Sequence, residues 1–268
     1  MVFSASNSPA LVRDRLLVHP RTAQRVLELL NRSGNAHAEL CALVELDPAL
    51  SAAVLRTANS AHLGYSGRIA GIRHATVLLG GSLVASLAAS RVADLVFDVA
   101  QPDYPDWLWQ HSLVVASGSS VLASYIGENT DDAYTTGLLH DVGSLLAATN
   151  VNEDLHGAAG DSIDNVAGQS GAADVGAGAN LLRRWNLPDR VVSGVRHHRA
   201  STAGLVGTLE RLVAAASSFA TEMGAPGPER PMSTLEALRL LQCNRRPDDV
   251  MSAIDDEVTR RTAILRGG

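Results

Sequence analysis

Apolar residues recur at three- and four-residue spacing along nearly the whole chain, and no stretch alternates apolar with polar residues long enough to claim a strand. A chain patterned this way buries its apolar surface by packing helix on helix, so the expected fold is all-α. Val26, Leu27, Leu29 and Leu30 follow Pro20, a residue suited to a first helical turn. Asp47-Pro48 restarts a helix, with the acid as N-cap and proline at the first position, and Leu50, Val54 and Ala58 continue its stripe. Ile72, Ala75, Thr76 and Leu79 form another short stripe, closed by Gly80-Gly81, and Leu83 to Phe97 reads as a long helix. Five or six helices are expected up to about residue 99.

A turn-rich break, Gln101-Pro102-Asp103-Tyr104-Pro105, then separates a second lobe. A helix is expected from about Asp106 to Ile126. Thr130-Asp131-Asp132 predicts another helix start, with a hydroxyl cap and two acids facing the positive dipole end. Residues 149–171, rich in Gly, Asp, Asn and Ser, read as a long loop, and loops of that length are often lids or mobile. Helices resume at about 172–185, 188–198 and 202–223, and Ser233-Thr234-Leu235-Glu236 is a capping box opening a C-terminal helix pair that ends near Leu265. The expected organisation is a two-lobed multi-helix bundle: an N-terminal lobe over 10–100, a second lobe over 101–223 and a helical extension over 228–268.

The chain has 268 residues, enough to bury a substantial core, and a net charge of −6, which argues against a partner that is a phosphate backbone. No apolar run approaches the ~18 residues of a membrane span. No signal peptide is visible at Met1-Val2-Phe3-Ser4-Ala5-Ser6. Cys41 and Cys243, far apart in apolar helix-like stretches, suggest reduced thiols and a cytoplasmic location. With only three Phe and three Trp, no base-stacking platform stands out.

The sharpest local feature is Gly137-Leu138-Leu139-His140-Asp141-Val142-Gly143. Adjacent His and Asp on an apolar helix are costly to bury unless paired or bound to a cation. Imidazole nitrogen and carboxylate oxygen together suit a hydrolytic divalent metal. His111 lies 29 residues earlier on the preceding helix, where an antiparallel pair would bring it opposite His140. His197-His198 forms a third cluster, and adjacent helix positions diverge enough that one of the two is expected to face a pocket. The plainer readings stand beside these. A His-Asp dipeptide is common by chance, His197-His198 between Arg196 and Arg199 is equally a solvated helix end, and His111 beside two tryptophans is equally a hydrogen-bonded core residue. Arg56, Arg68 and Arg73 could form a phosphate-recognising patch or simply solvate helices. Gly176-Ala177-Gly178 resembles part of a phosphate loop, but no strand precedes it, so close helix packing is the better account.

Several of these motifs, in order, resemble one family. Asp47-Pro48-Ala49-Leu50-Ser51, Leu55-Arg56-Thr57-Ala58-Asn59-Ser60 and Ile72-Arg73-His74-Ala75-Thr76-Val77-Leu78-Leu79-Gly80 resemble the N-terminal half of the HDOD family, whose name marks an output domain related to HD phosphohydrolases. Trp109-Gln110-His111-Ser112, the Gly137–Gly143 motif, Leu181-Leu182 with Trp185 and Leu187-Pro188, and His197-His198 resemble its HD-like half. The resemblance runs from roughly Pro20 to Ala220. It implies an all-helical, two-lobed module of bacterial signal transduction.

Carried over from the HD pattern, His111 matches the first His of a His…His-Asp…Asp metal set, and His140 and Asp141 match the pair. Ser217 falls where the last Asp is expected, and Ala172 where many relatives carry a further His. A neutral hydroxyl cannot supply the missing anionic oxygen, which leaves three residual ligands; Asp174 or a carboxylate from the 149–171 loop could stand in for it. The expectation is therefore a non-catalytic regulatory module, with no cofactor, that binds a protein partner or a small nucleotide-like ligand but neither nucleic acid nor membrane. Its pocket candidates are His197, His198, Asp174, Arg56, Arg68 and Arg73. The first alternative is a metal-dependent phosphohydrolase acting on a nucleotide or cyclic dinucleotide through His111, His140 and Asp141 with Mn, Fe, Ni or Zn. The second is a nucleotide sensor without turnover.

Overall fold

The structure, a computed structural model, describes residues 16–32, 36–97, 104–148, 166–228 and 231–266. Among these residues every regular element is helical. The first lobe comprises α1 (Pro20–Asn31), α2 (His37–Val44), α3 (Pro48–Ala58), α4 (Ile72–Leu79) and α5 (Gly81–Phe97). The second comprises α6 (Asp106–Ile126), α7 (Thr130–Leu139), α8 (Val142–Ala148), α9 (Val166–Arg184), α10 (Asp189–His197) and α11 (Thr208–Glu222). Two further helices, α12 (Thr234–Leu240) and α13 (Pro247–Thr262), close the bundle.

Local chemistry explains most of these boundaries. Asp47 caps α3, its carboxylate accepting from the Ala49 and Leu50 N–H groups, with Pro48 in the first turn. It also accepts from His19 N–H at 2.8 Å, which ties the chain entering α1 to the start of α3. Burial pushes the Asp47 carboxyl up to about 6 even against these hydrogen bonds. Ser233 and Glu236 form the expected capping box of α12. At α7 the expectation needs correcting by one residue. Asn129 is the cap, accepting from the Asp131 and Asp132 N–H groups, and Thr130 is the first helical residue. The helix α9 starts at Val166, six residues before the expected 172, and the expected helix over 202–223 is a short 3₁₀ turn at Thr202–Gly204 followed by α11. The rest of the 149–171 segment, at 149–165, lies outside the described residues, as do 101–103 and the C-terminal Gly267-Gly268.

The lobes share their core. One apolar cluster runs from Leu16 through α1–α4 and α5 into α6–α10, and a second joins α6, α7, α11, α12 and α13. Polar contacts reinforce the junction. The first N–H groups of α4 lack a cap of their own. Instead Thr135 Oγ1 accepts from Ile72 N–H at 2.9 Å, and the Asp131 carboxylate accepts from Arg73 and His74 N–H. Asp131, half-buried there, has its carboxyl held above the ordinary range by desolvation.

At the far end, Arg261 of α13 pairs with Glu45 at 2.9 Å and Glu257 at 2.6 Å and lies 3.7 Å from the Tyr134 ring centroid. The Tyr134 hydroxyl donates to the Glu45 carbonyl. The C-terminal helix is thereby fastened to the first lobe. No single helix among the described residues is long and apolar enough to cross a membrane.

Candidate metal centre

The approach of α6 and α7 builds the centre. Gly137 faces α6 so closely that a Cβ there would stand 2.8 Å from Ala116 Cα and 2.9 Å from the Val115 carbonyl oxygen. That approach puts His111 of α6 against His140, the C-cap of α7, with Nε2 atoms 3.1 Å apart. Asp141 sits in the joint between α7 and α8, its carbonyl accepting from Ser144 and Leu145 N–H as α8 begins. The joint also depends on Gly143, since a Cβ there would lie 1.7 Å from the Asp174 carbonyl oxygen on α9. Gly178, in the glycine-rich fragment of α9, packs against Gly143.

Each histidine is fixed by a carbonyl. His140 Nδ1 lies 2.7 Å from the Gly137 oxygen, and His198, the C-cap of α10, places its Nδ1 2.7 Å from the Val195 oxygen. Both satisfy a carbonyl of the last helical turn, three residues back. His111 Nδ1 lies 2.8 Å from the Ala225 oxygen, beyond the end of α11. A carbonyl can only accept, so the three Nδ1 atoms carry protons and the three Nε2 atoms turn inward.

The inward groups meet at Asp141. Its Oδ2 lies 3.5 Å from His140 Nε2 and 4.0 Å from His111 Nε2, while Oδ1 lies 3.8 Å from His198 Nε2. Arg199 completes the cluster, donating from Nη2 to Asp141 Oδ1 and from Nε to His198 Nε2 at 3.1 Å. Asp141 Oδ2 is buried and has no hydrogen-bond partner among the described residues. His111, His140, Asp141 and His198 are all 3% exposed or less.

His111, His140 and Asp141 therefore form a group with the spacing of a metal site. Ligands at ~2.0–2.1 Å from a tetrahedral ion lie about 3.3 Å apart; two of the observed separations, 3.1 and 3.5 Å, are near that value and the third, 4.0 Å, is longer. Charge is the misfit. Arg199 on the opposite carboxylate oxygen already offsets the negative charge that a divalent ion in the triad would draw on. The spacing of the three donors suits a divalent ion, while the Arg199 charge on the same carboxylate opposes one.

The other candidate residues are placed as follows. His197 points away from the centre, half-exposed, with Nδ1 3.4 Å from Glu210. Burial acts to raise the Glu210 carboxyl, but bonds from Ser193 Oγ and Gly207 N–H, with His197 beside it, hold it below the ordinary range. Asp174 is half-buried on α9 and lies outside the His/His/Asp group. Ser217 is buried on α11, with no hydrogen-bond partner for its hydroxyl among the described residues. Ala172 lies within α9, but its side chain is outside the described residues.

Arg73 pairs with Glu45 at 3.3 Å, Arg56 lies over the Trp185 ring, and Arg68 is an exposed loop residue whose N–H donates to Asn59. Its neighbour Gly67 donates to the Asn186 carbonyl, which docks the 64–68 loop on the second lobe. Sequence reading missed Arg199, which sits beside His197-His198 and looked like part of a solvated helix end. It also missed the Ala225 carbonyl, because no pattern marks a backbone acceptor 114 residues from its donor.

Residues 16–201 match the HDOD domain. The chain belongs to the HDOD family. An uncharacterized protein of Treponema pallidum is 27% identical over 207 residues, which cover 70% of this chain and 39% of that protein, so the chain spans about two-fifths of that relative's length. The crystal structure of the MmoQ response regulator from Methylococcus capsulatus superposes with a TM-score of 0.66 at 22% identity, covering 93% of this chain and 98% of that one. A virulence factor from Campylobacter jejuni superposes with a TM-score of 0.64 at 15% identity, covering 96% and 98%. At these identities the likeness establishes a shared helical fold.

Beside the centre lies an open cleft of about 500 Å³, lined by His19, Arg21, Trp109, Gln110, Ala225 and Asp255 among others. His19 stacks on Trp109 with ring centroids 4.6 Å apart, and Trp109 Nε1–H donates to the Leu46 carbonyl of the first lobe. The cleft thus touches α1, α6 and α13, and Ala225 is common to it and to the His111 hydrogen bond.

Proposed function

We propose that this HDOD domain is a non-catalytic regulatory module of bacterial signalling, which binds a small ligand or protein partner and relays that state through the packing of its two lobes. The observation that carries the reading is burial. A hydrolase must present its nucleophile and its charge-stabilising groups to a phosphoryl centre within hydrogen-bond reach, yet here His111, His140 and Asp141 are at most 3% exposed. The cleft lined by Trp109 and Ala225 is the candidate ligand site, since a molecule seated there bears on both lobes and on the carbonyl that orients His111.

The phosphohydrolase alternative draws its support from the spacing of the His111, His140 and Asp141 donors. The test is to purify the protein without chelator and screen it against nucleotides, cyclic dinucleotides and a chromogenic phosphodiester in the presence of Mn²⁺ or Ni²⁺. The module reading expects no turnover beyond that of a His140→Ala variant. Hydrolysis that disappears in His140→Ala overturns it.

A further inference from the structure

We infer that Arg199 is the resident cation of the buried His/Asp centre and keeps divalent metals out of a donor set otherwise arranged to take one. The inference rests on the non-catalytic reading and supplies its physical cause. Three observations carry it. First, three donors are pre-set: the His111 and His140 Nε2 atoms face each other at 3.1 Å, fixed by carbonyl bonds at Nδ1, and the buried Asp141 Oδ2 has no hydrogen-bond partner among the described residues.

Second, the guanidinium is bound as a fork across the same centre, on Asp141 Oδ1 and on His198 Nε2. A planar, permanently charged group with several donors suits that double contact, and an ammonium does not reproduce it. Third, Arg199 leaves the chain directly after His198, the C-cap of α10, where a cation is favoured by the helix dipole. The side chain is 16% exposed against 1% for Asp141, so the arginine lies between the carboxylate and solvent. One carboxylate against one guanidinium leaves this buried pair neutral; adding a divalent ion would leave two positive charges uncompensated in a dry site.

The proposal predicts that removing the guanidinium charge opens the metal site. Arg199→Met removes it outright, Arg199→Gln keeps a hydrogen-bond donor for Asp141 without the charge, and Arg199→Lys keeps a charge. Each is titrated with Zn²⁺ and with Mn²⁺ by calorimetry after chelator treatment, with metal content read by elemental analysis and folding by circular dichroism. Wild type and Arg199→Lys are expected to take up only substoichiometric metal. Arg199→Met and Arg199→Gln are expected to bind a single ion per chain at least about 100-fold more tightly than wild type, because the opposing charge is removed. Binding in Arg199→Gln should be lost again on adding His140→Ala.

Arg199→Gln decides the matter if Arg199→Met does not fold. If neither uncharged variant binds metal better than wild type, the proposal is overturned while the non-catalytic reading stands. If wild type binds one ion tightly, the proposal is overturned, and turnover by that loaded protein overturns the module reading as well.

Discussion

The Arg199–Asp141 pair makes an asymmetric prediction about stability. Removing one member of a buried ion pair typically costs 3–5 kcal/mol, because the other charge is left without compensation. Here the two members differ in their access to water. Asp141 is 1% exposed, so Arg199→Met strands a carboxylate and should cost about 3 kcal/mol. Arg199 is 16% exposed and long enough to turn its head outward, so Asp141→Asn should cost only about 1–2 kcal/mol. In the Arg199→Met background the sign reverses. Neutralising the stranded carboxylate with Asp141→Asn should recover at least about 1 kcal/mol, so the double variant is more stable than the single.

The assay is urea unfolding at pH 7 with chelator present, followed by fluorescence and circular dichroism to establish that the transitions coincide. For a chain of this size the Arg199→Met loss corresponds to a fall in Tm of roughly 6–12 °C. Additive effects in the double variant, or an Arg199→Met cost below about 0.5 kcal/mol, would mean that the guanidinium does not compensate Asp141 and would refute the reasoning.

Other perturbations test the frame around the centre. Asp47→Ala removes the cap of α3 and the bond to His19 N–H and should cost about 2–3 kcal/mol in urea unfolding. Because burial raises the Asp47 carboxyl to about 6, its contribution to stability is full below its unfolded value and is lost as pH rises through 6. Wild type should therefore gain stability relative to Asp47→Asn between pH 7 and pH 5. Arg261→Ala breaks the contacts to Glu45, Glu257 and Tyr134 and should cost about 2–3 kcal/mol, with amide exchange accelerated first along Pro247–Thr262.

The same network sets an acid limit. Burial acts to raise the Glu257 carboxyl, but hydrogen bonds from Arg260 and Arg261 prevail and hold it below its ordinary 4.5. Its contribution is therefore present above pH 4.5 and is lost on further acidification, an effect that Glu257→Gln should abolish in pH-dependent unfolding. Gly143→Ala drives a Cβ into the Asp174 carbonyl and should cost about 3 kcal/mol or more, whereas Gly176→Ala, with open space at its Cβ, should be tolerated within about 1 kcal/mol.

Much of the frame was legible because its signals are local. Asp47-Pro48 and the Ser233–Glu236 box announce helix starts through side chains that bond N–H groups two or three residues away, and both do so in the structure. Thr130 misled by one position because Asn129, immediately before it, is the better acceptor. The His140-Asp141 pair stood out because two polar residues in an apolar helix call for partners, and the family pattern supplied His111.

What stayed hidden is what depends on distance in the chain. The partner of the Asp141 carboxylate is 58 residues away, on a residue that the sequence reads as readily as part of a solvated helix end. Which of His197 and His198 turns inward is decided by where α10 ends, since the C-cap residue folds back on its own last turn. Likewise the cleft is assembled from three helices and the segment after α11, and no one of them carries its pattern.

The most direct test of an arginine-closed, non-catalytic centre is anomalous diffraction from wild-type crystals soaked in Zn²⁺ and measured across the zinc edge. The account predicts a guanidinium seated on Asp141 and His198, with no anomalous peak at bonding distance from His111 Nε2 or His140 Nε2. A peak within about 2.0–2.2 Å of both nitrogens and of Asp141 Oδ2, with Arg199 displaced, would contradict it.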